Sequence, residues 1–269
     1  MEEMTEKRLE MENKIVAIIQ ARMTSSRLPG KVMLDIAGYP MLDHVLYRVS
    51  KTKLVDEIIV ATTTNPADDP IEVFCHEKGF SCFRGSEFDV LDRFYQSALA
   101  NEADIIVRIT ADCPLIDADM IDAMLKSFMD NQVDFAANRL PPPWKRTFPI
   151  GLDIEIASFQ ALENAWKNAT TKFEREHVMP YLYEVPERFK TLLIHHEPDY
   201  GNRRWTVDTA EDLVLVRRIF QHFSPQRDFG WLEVVELLAL NPGWETVNFN
   251  VPAKQVDEVD ERFQSQGEK

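Results

Sequence analysis

The sequence predicts an α/β fold, a doubly wound and mostly parallel sheet in one domain spanning residues 14–245. Three observations predict it. Runs of β-branched apolar residues, such as Lys14-Ile-Val-Ala-Ile-Ile-Gln20, read as strands buried on both faces. Helical stripes separate these runs, and strands alternating with helices at such lengths imply crossover connections and a parallel sheet. At 269 residues and 45% hydrophobic content, the chain is long enough to bury one sizeable core.

The elements follow in order. The first strand covers Lys14 to Gln20, and a loop of small, hydroxyl and cationic residues leaves its carboxyl end. Apolar residues at 41, 42, 45, 46 and 49 then form a helical stripe, with Pro40 at its first turn. Asp56 to Thr62 reads as a strand, Asp69 to Lys78 as a helix and Phe80 to Phe83 as a short strand. A helix near Asp89 to Ala100 leads into the strand Asp104 to Thr110. A helix from Asp119 to Met129 and a strand from Val133 to Ala137 continue the alternation. The rhythm breaks at Arg139-Leu-Pro-Pro-Pro-Trp-Lys-Arg-Thr-Phe-Pro149, whose prolines exclude a helix or central strand and predict a loop or lid. Beyond it we expect a strand over Gly151 to Ile156, helices over Phe159 to Asn168 and over Glu174 to Glu184 broken at Pro180, and a strand over Lys190 to Ile194. Helices near Ala210 to His222 and Trp231 to Leu238 close the domain, between a charged leader at 1–13 and a solvated tail at 246–269.

Composition excludes several classes of function. A formal net charge of -15 argues against a nucleic-acid or anionic-membrane partner, either of which needs an extended basic face. No apolar stretch approaches the ~20 residues of a membrane span, and the amino terminus lacks a signal-peptide pattern, so a cytoplasmic location is expected. Cys75, Cys82 and Cys113 are an odd set without C-x-x-C spacing, which predicts neither a disulfide frame nor a zinc site.

Within this acidic chain, the window Asn13 to Leu34 holds Lys14, Arg22, Arg27 and Lys31 and no carboxylate. Its loop leaves the carboxyl end of a strand, the sheet edge where ligands collect in α/β folds. Hydroxyls, backbone N–H groups and guanidinium forks on one short loop suit a polyphosphate; a solvated turn balancing an acidic surface is the plainer reading. The loop contains neither common glycine-rich phosphate motif, and Gly30 is its one glycine, so its side chains carry the anion contacts.

Two aspartates follow apolar runs and reach the same edge. Asp112 stands in Thr110-Ala-Asp-Cys-Pro-Leu-Ile116 and Asp208 in Trp205-Thr-Val-Asp-Thr-Ala-Glu-Asp-Leu213. Magnesium takes one or two carboxylates plus phosphate oxygens and waters, so the pair beside a polyphosphate loop makes a metal site. Each also has a structural reading: Asp208 or Thr209 as a helix N-cap, and Asp112 in an Asx turn before Pro114.

The segment Ala21-Arg-Met-Thr-Ser-Ser-Arg-Leu-Pro-Gly-Lys31, continued by Leu34-Asp-Ile-Ala-Gly-Tyr-Pro-Met41, resembles the amino-terminal signature of the sugar cytidylyltransferases, the group of the CMP-octulosonate and CMP-sialate synthetases. Arg84-Gly-Ser-Glu-Phe-Asp-Val-Leu-Asp-Arg93, Gly151-Leu-Asp-Ile-Glu155 and Arg175-Glu-His-Val-Met-Pro-Tyr181 are most similar to its spore-coat polysaccharide branch. The resemblance spans about Lys14 to Arg218.

It implies a Rossmann-like, nucleotide-diphospho-sugar transferase-type domain that transfers CMP from CTP to a sugar or sugar-phosphate-like acceptor, with Mg2+ as cofactor. Ala21, Arg22, Ser25, Ser26, Arg27 and Lys31 would then hold the nucleotide, Asp112 and Asp208 the metal, and Ala61, Thr62 and Thr63 would face the base with Thr110 nearby. Gly151, Asp153, Glu155, Arg175 and His177 would line the acceptor, with Arg84 and Arg108 as further contacts or as surface ion pairs. Members of the group are often dimers, which leaves a homodimer open. Two other functions compete: a glycosyltransferase, which would be expected to use D-x-D where Ala111-Asp-Cys113 has one carboxylate, and a non-catalytic nucleotide-binding module.

Overall fold

The computed structural model describes residues 13–252 apart from 142 and 143. Most of the expected leader and the larger part of the expected tail lie outside these residues. The central sheet has seven strands in the order β5-β4-β1-β6-β8-β7-β9. These are β1 Ile15–Gln20, β4 Glu57–Thr63, β5 Ser81–Gly85, β6 Ile105–Thr110, β7 Phe135–Ala137, β8 Glu155–Ser158 and β9 Thr191–Leu193. A separate hairpin joins β2 Asp35–Ile36 to β3 Tyr39–Pro40; it turns through Ala37 and Gly38, both at positive φ, and two-residue strands are too short to leave an alternation in the sequence.

The parallel half is built as the apolar runs predict. β1 lies at its centre, with Ile18 opposite Ile59 of β4 and Arg108 of β6. Its residues alternate between two apolar layers: Ile15, Ala17 and Ile19 pack with the helices Met41–Val49, Asp69–Lys78 and Ala118–Asn131, while Val16 and Ile18 pack with Val90–Ala100 and Phe159–Asn168. All five are 5% exposed or less, so the strand has no solvent face and needs no polar alternation.

The other half departs from the expected pattern. β8 runs antiparallel to both β6 and β7, while β7 and β9 are parallel. The strand expected over Gly151 to Ile156 begins at Glu155, because Ile150 and Gly151 turn aside to pack against 203–206 while Leu152 and Ile154 bond to the Asn138 side chain. Gly151 permits this turn: its φ is 106°, and a Cβ there would lie 2.4 Å from the Thr206 nitrogen. The helix expected over Glu174 to Glu184 is two helices, Lys172–His177 and Pro180–Tyr183, separated by Val178 at φ 73°. Pro180 opens the second helix rather than interrupting one, since its missing N–H costs nothing in a first turn.

The packed chain also runs past the expected boundary at 245. Glu245–Val247 forms a 3-10 turn and Asn248 is 3% exposed. The three cysteines are free thiols. Among the described residues, no helix is long and apolar enough to cross a membrane.

Candidate active site

The parallel strands β1, β4 and β6 end together, and the cationic loop leaves β1 at that edge. The loop is pinned at both ends: Ala21 N–H donates to the Ala61 carbonyl at 3.2 Å, and Gly30 N–H to the Met23 carbonyl at 2.8 Å. Asp68, fully buried, accepts the Met23 N–H at 2.6 Å and the Thr63 hydroxyl. Gly30, at φ 71°, turns the chain into the 3-10 helix Lys31–Met33 and sends the Lys31 side chain inward.

Lys31 Nζ donates to Asp112 Oδ2 at 2.8 Å, to Asp208 Oδ1 at 2.9 Å and to the Val207 carbonyl at 2.9 Å. The two aspartates, 96 positions apart in the sequence, therefore meet on one ammonium. Burial alone would lower the lysine, but the charges of Asp112 and Asp208 outweigh it and hold the group above its ordinary value. Burial likewise would raise the Asp112 carboxyl; the Lys31 ammonium and the Thr110 hydroxyl, which donates to Oδ1 at 2.6 Å, bring it from 3.8 down to about 2.

Asp208 is free for this role because Thr209 caps the helix Ala210–Phe223, in a capping box with Asp212. Its Oδ2 accepts Arg27 Nη2 at 2.9 Å and Arg204 Nη2 at 3.0 Å. Arg204 is fixed in turn by Asp212, through Nε at 2.9 Å and Nη2 at 2.9 Å. Arg22 lies near the buried Arg93, whose pKa is lowered to about 10 first by burial and then by the Arg22 charge. Ser25 is half-buried and Ser26 exposed on the outer turn of the loop.

A cleft of about 460 Å3 continues from Asp112 and Asp208 over β6 and β8. Its walls hold Arg108, Asp153, Glu155 and His177 from the sequence expectation, and Arg139, Trp144, Arg146, Tyr183 and Arg204 beyond it. The charges are largely paired: Arg108 with Glu155 and Gln20, and Arg146 with both oxygens of Asp153. Burial and then Glu155 push the Tyr183 hydroxyl well above its ordinary value, so it stays a neutral donor.

Several expected contacts lie elsewhere. Arg84 donates from Nε to the Thr63 carbonyl at 2.8 Å and from Nη2 to the Asn65 carbonyl at 2.9 Å, and pairs with Asp69 and Glu72; it clamps the turn after β4. Arg175 grips Asp89 and the Trp166 carbonyl, fastening the Lys172–His177 helix to the start of the Val90–Ala100 helix. Ala61, Thr62 and Thr63 are fully buried, and the Thr63 hydroxyl is engaged by Asp68, so their side chains do not present a face to a base. Gly151 shapes the backbone under the cleft without lining it.

Among the described residues, no group of three or more His, Cys, Asp and Glu side chains converges as a metal cage. Asp112 and Asp208 remain as a carboxylate pair. Each carboxylate oxygen accepts about two hydrogen bonds; Asp112 Oδ1 takes the Thr110 hydroxyl and the Cys113 thiol, while Asp112 Oδ2 and Asp208 Oδ1 each accept one bond, from Lys31, and retain acceptor capacity. The donor set is all oxygen, which suits a hard cation sharing phosphate ligands.

A sequence model of cytidylyltransferases matches residues 16–239, nearly the whole described domain. The chain belongs to the cytidylyltransferase family. It is 34% identical to a cytidylyltransferase of Leptospira borgpetersenii serovar Hardjo-bovis, whose structure aligns with a TM-score of 0.83 over 91% of this chain and 100% of that one. It is 34% identical over 248 residues to the spore coat polysaccharide biosynthesis protein SpsF of Bacillus subtilis, covering 86% of this chain and 96% of SpsF. An uncharacterized protein of Methanocaldococcus jannaschii is 39% identical over 251 residues, covering 92% of this chain and all of that protein.

For a cytidylyltransferase, the residues that sequence reasoning missed are the ones that hold others in place. Asp68 lies in a Pro66–Asp68 turn that looks like an ordinary helix entry. Asp212 reads as a favourable acid in a first helical turn and is also the clamp of Arg204. Arg204 stands four residues before Asp208, a spacing with no meaning until the extended segment between them curls back. Arg146 sits in the proline-rich loop, where the sequence signals a loop and not its direction.

Proposed function

We propose that this cytidylyltransferase transfers CMP from CTP to a sugar or sugar-phosphate-like acceptor in surface polysaccharide assembly, in the cytoplasm and with magnesium. One observation carries the reading: Lys31, Asp112 and Asp208 meet at the carboxyl edge of the parallel strands, beside a cleft walled by arginine–carboxylate pairs. An oxygen of the acceptor attacks the α-phosphorus in line; a new P–O bond forms, the bond to the β-phosphate bridging oxygen breaks, and pyrophosphate leaves.

This chemistry asks for position and charge more than for covalent help. Lys31, Arg27 and Arg22 attract the phosphate oxygens, and Ser25 and Ser26 offer hydroxyl donors at the loop's outer turn. Asp112 and Asp208 are the residues that would hold magnesium, which when bound neutralises charge on phosphate oxygens. Arg108, Arg139, Arg146, Tyr183 and His177 orient the acceptor, and Thr110 keeps Asp112 ionised and aimed.

The test is a screen of the four nucleoside triphosphates against a panel of acceptors, following pyrophosphate. CTP with magnesium is expected to give product with one acceptor class. Consumption of a CMP- or UDP-sugar without pyrophosphate release would overturn the reading in favour of glycosyl transfer.

A further inference from the structure

We infer that Asn248 is a positioning residue for Asp208, acting through Asp212 and Arg204, so that chain beyond the family match at 16–239 completes the site. The inference rests on the metal-assisted reading given above.

Asn248 follows the 3-10 turn Glu245–Val247, is 3% exposed, and uses both hydrogens of its amide nitrogen. One goes to the Arg204 carbonyl at 3.0 Å and the other to Asp212 Oδ1 at 2.9 Å. Asp212 is fully buried, a position a carboxylate holds only when its oxygens are filled with donors. Oδ1 takes Arg204 Nε at 2.9 Å and Asn248; Oδ2 takes Arg204 Nη2 at 2.9 Å and the backbone N–H groups of Asp208 at 3.0 Å and Thr209 at 3.1 Å.

With every acceptor position taken, the Arg204 guanidinium has one orientation. In that orientation Nη2 also reaches Asp208 Oδ2 at 3.0 Å, which leaves Oδ1 turned to Lys31. Without Asn248, Asp212 Oδ1 would keep one donor and the Arg204 carbonyl would lose its side-chain partner. The fork would then rest on its own two bonds to Asp212, with Oδ1 and the Arg204 main chain held less firmly, and the aim of Asp208 would loosen. Asparagine fits because it alone offers two donors on so short a stem: aspartate offers none, and glutamine is one methylene longer.

A plain structural pin would behave differently, and Glu245 provides the contrast. It lies in the same turn, accepts the Trp205 indole N–H at 3.4 Å and pairs with Arg203 at 3.4 Å, and has no bond to Asp212. The experiment is calorimetric titration of the full chain with CTP, with magnesium and with EDTA, beside thermal melting. Wild type is expected to bind CTP more tightly with magnesium. Asn248→Ala is expected to lose about tenfold of that magnesium-dependent gain, while CTP binding in EDTA stays within about twofold. Asn248→Ser, which can seat a water in the vacated space, should show the same loss if the alanine variant unfolds. Glu245→Ala should lower the melting temperature and keep the full gain. A wild-type gain in the Asn248 variants, or an equal loss in Glu245→Ala, overturns this inference alone. Absence of any magnesium effect in wild type removes the metal reading and this inference together.

Discussion

The two ends of the cleft hold the same kinds of residue in different balance. At the nucleotide end, three cations, Lys31, Arg27 and Arg204, face three carboxylates, Asp112, Asp208 and Asp212. At the acceptor end, Arg108, Arg139 and Arg146 face only Glu155 and Asp153. Within this cluster the charges balance, with Arg22 outside it on the same loop, and the cluster is tied to the backbone, with Lys31 on the Val207 carbonyl and Asp212 on the N–H groups of Asp208 and Thr209. On the proposed reading, a polyphosphate entering there adds negative charge beyond what Lys31, Arg27 and Arg22 offset, and a divalent ion held by Asp112 and Asp208 would offset the rest. The acceptor end has one cation in excess and needs no such help to take a polar or anionic group. Rigidity at one end suits a fixed reaction geometry, and paired charges that can exchange partners at the other suit selection of a substrate.

That contrast breaks most sharply at Lys31. Lys31→Ala leaves two carboxylates facing each other with no ammonium between them and is expected to cut turnover by about 100-fold or more, the scale of losing one donor to developing charge. Pyrophosphate release at the wild-type rate would show that Lys31 only packs. Asp68 tests the same end from below. Asp68→Asn retains an acceptor for the Met23 N–H but loses the charge that strengthens the bond, and KM for CTP should rise about tenfold, with the acceptor KM changing far less. Equal change in both constants would mean that the loop does not separate the two ends.

Much of the fold was legible because its signals are local. β1, β4 and β6 announce themselves as apolar runs, and the helices Asp69–Lys78 and Phe159–Asn168 have the bounds that periodicity predicts. The reversal of β8 was not legible, since an apolar strand carries no mark of its direction. Asp112 and Asp208 stood out because each follows an apolar segment at the same edge. The same reasoning leaves Arg84 open between a contact and an ion pair and gives Arg175 to the acceptor: an arginine beside a strand end looks identical whether it faces a ligand or, as both do in the structure, closes on carbonyls and carboxylates from other segments. Asn248 carried no signal, because its partners are 36 and 44 positions away.

His44 extends the comparison to the scaffold below the nucleotide end. Its Nε2–H donates to the Ile36 carbonyl at 2.7 Å, tying the Met41–Val49 helix to the β2–β3 hairpin. Burial, and then the nearby Arg227 and Arg48, lower its pKa from 6.5 to about 4, although the Ile36 bond and Asp43 oppose them. The folded chain therefore binds fewer protons than the unfolded chain between these values. Stability is complete above pH 6.5 and falls as the pH drops toward 4, by up to about 3 kcal/mol from this group. Urea unfolding across that window should show the slope, and His44→Gln should flatten it. An unchanged slope in the variant would assign the loss to other groups.

The smallest effect is expected at Arg84, and it is informative for that reason. Arg84 lies in a segment similar to the spore-coat branch and reads in the sequence as either a contact or an ion pair; its donors reach the Thr63 and Asn65 carbonyls, Asp69 and Glu72. Arg84→Ala removes bonds that tie β5 to the turn after β4 and to the Asp69–Lys78 helix, and leaves the walls of the cleft intact. Stability should fall by about 1 kcal/mol, the scale of hydrogen bonds at a half-exposed site, with kcat and both KM values within about twofold of wild type. Arg108→Ala is its counterpart on the cleft wall, where the loss strips Glu155 of its partner and should raise the acceptor KM. If steady-state kinetics instead showed the larger acceptor effect at Arg84, the turn after β4 would belong to the acceptor site. The acceptor end would then extend to β4 rather than stop at the wall built on β6 and β8.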